Sequence, residues 1–111
     1  MLIALPLLLA ASPAPAFSAA DLADGRCLAA MALIADDKDK DLAQAGVLGT
    51  AYFMGKLKGH SPDLNIETLL RSIQRDVKAN EVRYRQACAG EIGNVGAEMT
   101  RIGDALSADG I

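Results

Sequence analysis

Apolar residues dominate the stretch 42–59, where Gln44, Thr50 and the Tyr52 hydroxyl are the only polar side chains before Lys56. Wound as a helix, it carries Leu42, Phe53 and Leu57 on one side, Leu48 and Tyr52 on a second, and Val47, Ala51 and Met54 on a third. A helix apolar nearly all round is expected at the centre of a fold. Gly46, Gly49 and Gly55 each weaken it by up to ~1 kcal/mol relative to Ala, which makes sense where other backbones come close. Lys56 and Lys58 in the last turn, Gly59 just past it and Pro62 beyond predict its end.

Three further helices follow from the same patterning. Asp21 or Asp24 can cap a first helix running to about Ala35, with Cys27 or Leu28, Met31, and Ile34 or Ala35 along one face. The charged run 36–41 ends it and favours the start of the next helix through capping and the helix dipole. Asn65 caps a third helix in which Ile66, Leu69, Leu70, Ile73 and Val77 share a face, while Glu67, Arg71, Arg75 and Lys78 meet water. The phase breaks at 78–80. In the last helix Cys88, Ile92, Val95, Met99, Ile102 and Leu106 repeat at alternating spacings of four and three, a seam beside a stripe of small residues, Ala89, Gly93, Gly96, Thr100 and Gly103. Bulky and small stripes side by side imply close approach of a partner helix; packing within the chain is expected, and an intermolecular coiled coil would use the same seam.

Composition supports this reading. The chain of 111 residues is 51% hydrophobic but only 4% aromatic and lacks Trp, so its core rests on Ala, Leu, Ile, Val and Met. A net charge of −3 without clustered Lys or Arg argues against nucleic-acid binding.

The apolar run 2–11, followed by small residues and prolines, has the order of a secretory signal and is too short to span a bilayer. Ala14-Pro15-Ala16 and Ser18-Ala19-Ala20 both fit the cleavage rule; the second is preferred, giving a signal peptide over 1–20 and a single helical domain over 21–111. No basic residue precedes the run and Pro6 interrupts it, so a retained N-terminal hydrophobic helix is the alternative. The expected location is periplasmic or secreted, without stable membrane insertion once the signal is removed. In an exported chain the only two cysteines, Cys27 and Cys88, most simply form one disulfide joining the first helix to the last. Closing that loop contributes ~4 kcal/mol in the chain-entropy model.

No constellation reads as catalytic, metal-binding or cofactor-binding. The acids at 37, 39 and 41 begin like a calcium loop, but Leu42 stands where the loop needs Gly and Leu48 where it needs a bidentate Glu. Gly55-Lys56-Leu57-Lys58-Gly59 lacks the ending and the preceding strand of a phosphate loop. His60, the only histidine, reads as an exposed loop residue, and Tyr52 as a half-buried core tyrosine with one hydrogen bond.

The layout of a presequence, Cys27 in the first helix, an apolar second helix, a capped third and Gln86-Ala87-Cys88 opening into the last resembles the HdeA family of small periplasmic acid-stress chaperones. The family's aromatic residues beside the first cysteine are replaced here by Leu28-Ala29-Ala30-Met31. The segment 49–55 is equally similar to secretion-system immunity proteins of the Tai type. The expectation is an all-α protein, a small four-helix bundle with one disulfide, non-enzymatic and acting by protein–protein interaction. The HdeA resemblance implies unfolded clients exposed to acid; the immunity-type resemblance implies one dedicated periplasmic partner, and a purely structural role is the third reading. The candidate interaction surface is Tyr52, Phe53, Met54 and Met99.

Overall fold

A computed structural model describes residues 17–111. The apolar run and the first cleavage site lie outside the described residues. Among the described residues there are four helices and no strand: α1 (Ala19–Ala35), α2 (Lys40–His60), α3 (Ile66–Ala79) and α4 (Glu81–Ala108). They form the expected all-α four-helix bundle, with Cys27 of α1 bonded to Cys88 of α4 across 61 residues.

Local chemistry sets the boundaries. The Asp39 carboxylate accepts from the amides of Asp41 and Leu42 to start α2, and Asn65 Oδ1 accepts from the Thr68 amide at 3.0 Å to start α3. Two ends differ from the sequence reading. Ser18, not Asp21 or Asp24, caps α1, its hydroxyl accepting from the Asp21 amide at 3.0 Å. Helix α1 therefore crosses the expected boundary between residues 20 and 21, and Phe17 before it packs half-buried against the core. Helix α2 runs through Gly59 to His60 before it stops at Ser61.

The centre of the fold is α1, not α2. Helices α2, α3 and α4 all pack on α1, whose Leu28, Ala30, Met31 and Ile34 are buried. Helix α2 contributes Phe53 and Leu57 to the core but leaves Val47 57% and Leu48 63% exposed. Side-chain volume explains the exchange of roles. Helix α1 is equally apolar but far smaller, with Gly25 and four alanines from Ala29 onward in its sequence, so neighbours can approach it from three sides. A run apolar all round reports composition; it does not choose which helix is enclosed.

Glycines make the closest of these approaches. A Cβ on Gly46 would stand 2.4 Å from the Ala35 backbone nitrogen and 2.8 Å from the Met31 carbonyl oxygen, so α2 lies directly on the α1 backbone. At Gly49 it would meet the Met31 side chain at 2.6 Å, and at Gly25 the Leu69 side chain at 2.7 Å. By contrast, Gly55 and all four interior glycines of α4 have open space where a Cβ would go.

Gly46→Ala should lower stability by ~1–3 kcal/mol, because backbone cannot move aside as a methionine can. Gly96→Ala should be neutral or stabilising by up to ~1 kcal/mol. Paired thermal melts read the difference, and equal melting temperatures would refute the backbone contact. Cys27→Ser should cost several kcal/mol, up to ~4, under oxidising conditions; urea titration with and without reductant checks it, since reduction should bring the wild type down to the variant.

Candidate functional site

Where α2 ends, the start of α1 lies beside it, and the two helix termini bring opposite charges together. Asp21 and Asp24 sit in the first two turns of α1, near its positive end, and Lys56 and His60 sit in the last two turns of α2, near its negative end. Both carboxylates are buried, at 8% and 6% exposure. Buried carboxylates demand partners, and these have them. Lys56 Nζ lies 2.9 Å from Asp24 Oδ1 and 3.0 Å from Glu91 Oε1 of α4. His60 Nε2 donates to Asp24 Oδ2 at 2.9 Å, Nδ1 lies 3.0 Å from Ser61 Oγ, and the Ser61 hydroxyl donates to Asp21 Oδ1 at 2.7 Å.

Donor accounting assigns the hydrogens. A carboxylate only accepts, so Nε2 carries a hydrogen toward Asp24. The Ser61 hydroxyl, in contact with Nδ1, extends the network to Asp21. His60 is exposed, as read from the sequence, but it closes α2 instead of lying in a loop and is hydrogen-bonded to Asp24. Ser61, His60 and Asp24 superficially resemble a nucleophile–base–acid series, but the serine hydroxyl donates to the Asp21 carboxylate, whereas an activated nucleophile gives its hydrogen to the imidazole.

The cluster ties three helices together through Lys56. The hydrogen bond to Asp24 first, and that to Glu91 second, push the Lys56 ammonium up to about 12 from 10.5. A raised Lys value stabilises the fold fully below 10.5 and loses that contribution only as pH rises through about 12. Partial burial, then the neighbouring Glu91, push the Tyr52 hydroxyl above its ordinary value.

A second junction forms where α3 meets α4. Asp76 accepts from the Tyr84 hydroxyl, from Arg26 Nε at 3.2 Å and from Asn80 Nδ2 at 2.9 Å, joining α1, α3 and α4. Chiefly the Tyr84 hydrogen bond, with the Arg26 charge and Asn80, holds the Asp76 carboxyl below its ordinary value against the effect of burial. Its contribution is therefore present above the ordinary carboxylate range and is lost as pH falls through the depressed value.

The residues singled out from the sequence occupy different environments. Phe53 is wholly buried and touches Tyr52 edge to face with ring centroids 4.9 Å apart. Tyr52 and Met54 are half-buried against the core. Met99 is 64% exposed. Of the acids in the charged run, Asp37 and Asp39 lie in the inter-helix turn, with Asp37 Oδ1 accepting from the Asp39 amide at 2.9 Å, while Asp41 falls in the first turn of α2. Among the described residues no group of three or more His, Cys, Asp or Glu is placed to hold a metal, and no helix is long and apolar enough to cross a membrane.

The seam of α4 divides in two. Cys88 is buried and Ile92 packs half-buried on the core, but from Gly96 onward every residue is exposed. Met99, Ile102 and Leu106 thus form a free apolar ridge. The helix under them is closed by a glycine cap: Gly110 takes φ +80°, its amide donates to the Ser107 carbonyl, and the Ile111 amide donates to the Leu106 carbonyl at 3.0 Å. At the base of the ridge an open apolar groove of about 290 Å³ lies between α2 and α4, lined by Leu42, Ala45, Ala89, Ile92 and Gly93 over a floor that includes Met31. A larger open groove of about 620 Å³ runs between α1 and α3 over Ala29, Leu33, Leu70 and Val77. Against protein-family models, curated proteins and solved structures, the chain finds no match.

Lys56→Met should lower stability by ~1–2 kcal/mol at neutral pH, discounted for the half-exposed lysine, because it leaves Asp24 and Glu91 without their shared cation. Lys56→Arg should recover most of the loss. Urea denaturation beside the rim control Lys78→Met tests this, and equal effects at Lys56 and Lys78 would show that the cluster does not hold the helices.

Proposed function

We propose that this is a small exported, non-catalytic helical protein that acts by protein–protein contact through the free face of α4 between Val95 and Leu106. The carrying observation is that this face is apolar and exposed while its helix is continuous and capped at its end. Contiguous apolar surface of this kind marks interaction sites in soluble proteins. Met99 belongs to the surface; Tyr52 and Met54 lie half-buried away from it, and Phe53 can reach a partner only if the bundle opens. The disulfide and the lack of a membrane-crossing helix among the described residues are compatible with a periplasmic or secreted location. Cleavage before Phe17 would keep the Ser18 cap and the Phe17 packing, which cleavage before Asp21 would remove. An immunity-type protein with one dedicated partner fits a preformed surface of this sort.

The acid-stress chaperone reading has its own support. The helix contacts around α1 are fastened by carboxylates, Asp21, Asp24 and Glu91 at one junction and Asp76 at the other. Protonating them removes ion pairs from three helix contacts at once and leaves a positive chain.

The test is a titration of dilute oxidised protein from neutral to about pH 2, following near-ultraviolet dichroism, apolar dye binding and suppression of client aggregation. Dye binding at neutral pH that falls in the double variant Met99→Glu/Leu106→Glu supports the α4 surface. Dye binding that ignores this variant overturns it, and client suppression confined to acid, with loss of near-ultraviolet signal, moves the function to the chaperone reading.

A further inference from the structure

We propose that the α4 face is filled by the same face of a second copy, the two helices pairing antiparallel about a twofold axis near Thr100. This rests on the reading of α4 as the contact surface and names its partner. The outer part of α4, about 13 residues containing Gly96 and Gly103, has no tertiary support, and an isolated helix of that length is marginal in water. A covering partner supplies what the monomer lacks.

The face is self-complementary. By helical spacing, Arg101 and Asp104 project away from it and Glu98 lies along its edge, so no charge sits at the centre when two copies meet. An antiparallel pair that sets Met99 level with the partner's Ile102 also sets Val95 level with the partner's Leu106. Gly96 then stands near the partner's Gly103, where neither has a Cβ to hold the helices apart. A Cβ on any of α4's interior glycines would meet open space in the monomer, so no close approach within one copy requires them.

The same register reaches the end of the helix. Ile111, 86% exposed, falls level with the partner's Gly90, beside the open groove lined by Ala89, Ile92, Gly93, Leu42 and Ala45. An exposed apolar end and an open apolar groove thus lie at the two ends of one helix, at the separation an antiparallel twofold requires. Contact over about 20 residues of each helix buries on the order of 1,000–1,400 Å² in total, enough for a small specific interface. Each bundle sits at an opposite end of the pair.

Sedimentation equilibrium of the oxidised protein over a wide concentration range should show a reversible monomer–dimer equilibrium. Leu106→Glu and Gly96→Glu should each weaken it about a hundredfold, since each places a carboxylate in an apolar contact. Neither should lower the melting temperature of the monomer, because both positions are free of the core. Ala45→Glu, on a different helix, should weaken it as well if the register is right. A spin label on Ser107→Cys should report an axial separation of about 20 Å between copies, where a parallel in-register pair would give only the interhelix spacing of about 10 Å. A wild type that stays monomeric, a dimer indifferent to Leu106→Glu and Gly96→Glu, or the short label distance overturns the pairing. A monomer whose dye binding still depends on Met99 and Leu106 would sink the second copy alone; loss of both would sink the α4 surface with it.

Discussion

The bundle depends on how closely other helices can come to the backbone of α1. Gly46 rests against the peptide units from Met31 to Ala35, and Gly25 of α1 receives Leu69 of α3. With 95 described residues and few aromatic side chains, the fold cannot rely on filling wide gaps with large rings. It gains packing density by shortening the gaps instead, which requires small residues wherever helices meet. The Cys27–Cys88 bond then fixes α4 to the same central helix.

Close approach also explains the polar end of the molecule. Bringing the start of α1 against the end of α2 buries Asp21 and Asp24, and burial of two carboxylates is tolerable only with cations at contact distance. Lys56 supplies the cation and His60 a ring hydrogen bond from the same helix, one turn apart, while Glu91 reaches Lys56 from α4. The arrangement is specific in register: sliding α2 by one residue would turn both side chains away. The contribution of Lys56 is fully present below 10.5 and is lost only as pH rises through about 12.

Much of this was legible in the sequence wherever the cause is local. The caps at Asp39 and Asn65, the break near Asn80 and the apolar face of α3 each depend on residues within a turn of one another. The disulfide was legible because the sequence holds only two cysteines, which leave one pairing. Gly49 was legible as a contact glycine, but Gly96 was assigned the same role within the chain and instead faces open space. Periodicity cannot say whether the partner for a seam lies in the same molecule. His60 looked like a loop residue because its two carboxylate partners stand 36 and 39 positions away, beyond the reach of any local pattern. Phe53 and Tyr52 are adjacent aromatic residues on an apolar helix, and the side of α2 that meets α1 decides that one is enclosed and the other reaches the surface.

The disulfide does more than join two helices, because of where it falls along α4. Cys88 lies near the start of that helix, and about 30 Å of rod extends from it to Ala108. Such a rod is a pointer hinged near one end: a tilt of about 10° at the hinge displaces the tip by ~5 Å. The contacts that set the tilt are few, Ile92 against the core and Glu91 against Lys56. Any change at that small bearing is therefore magnified along the exposed ridge, so the far end of α4 reports the state of a junction more than 20 Å away.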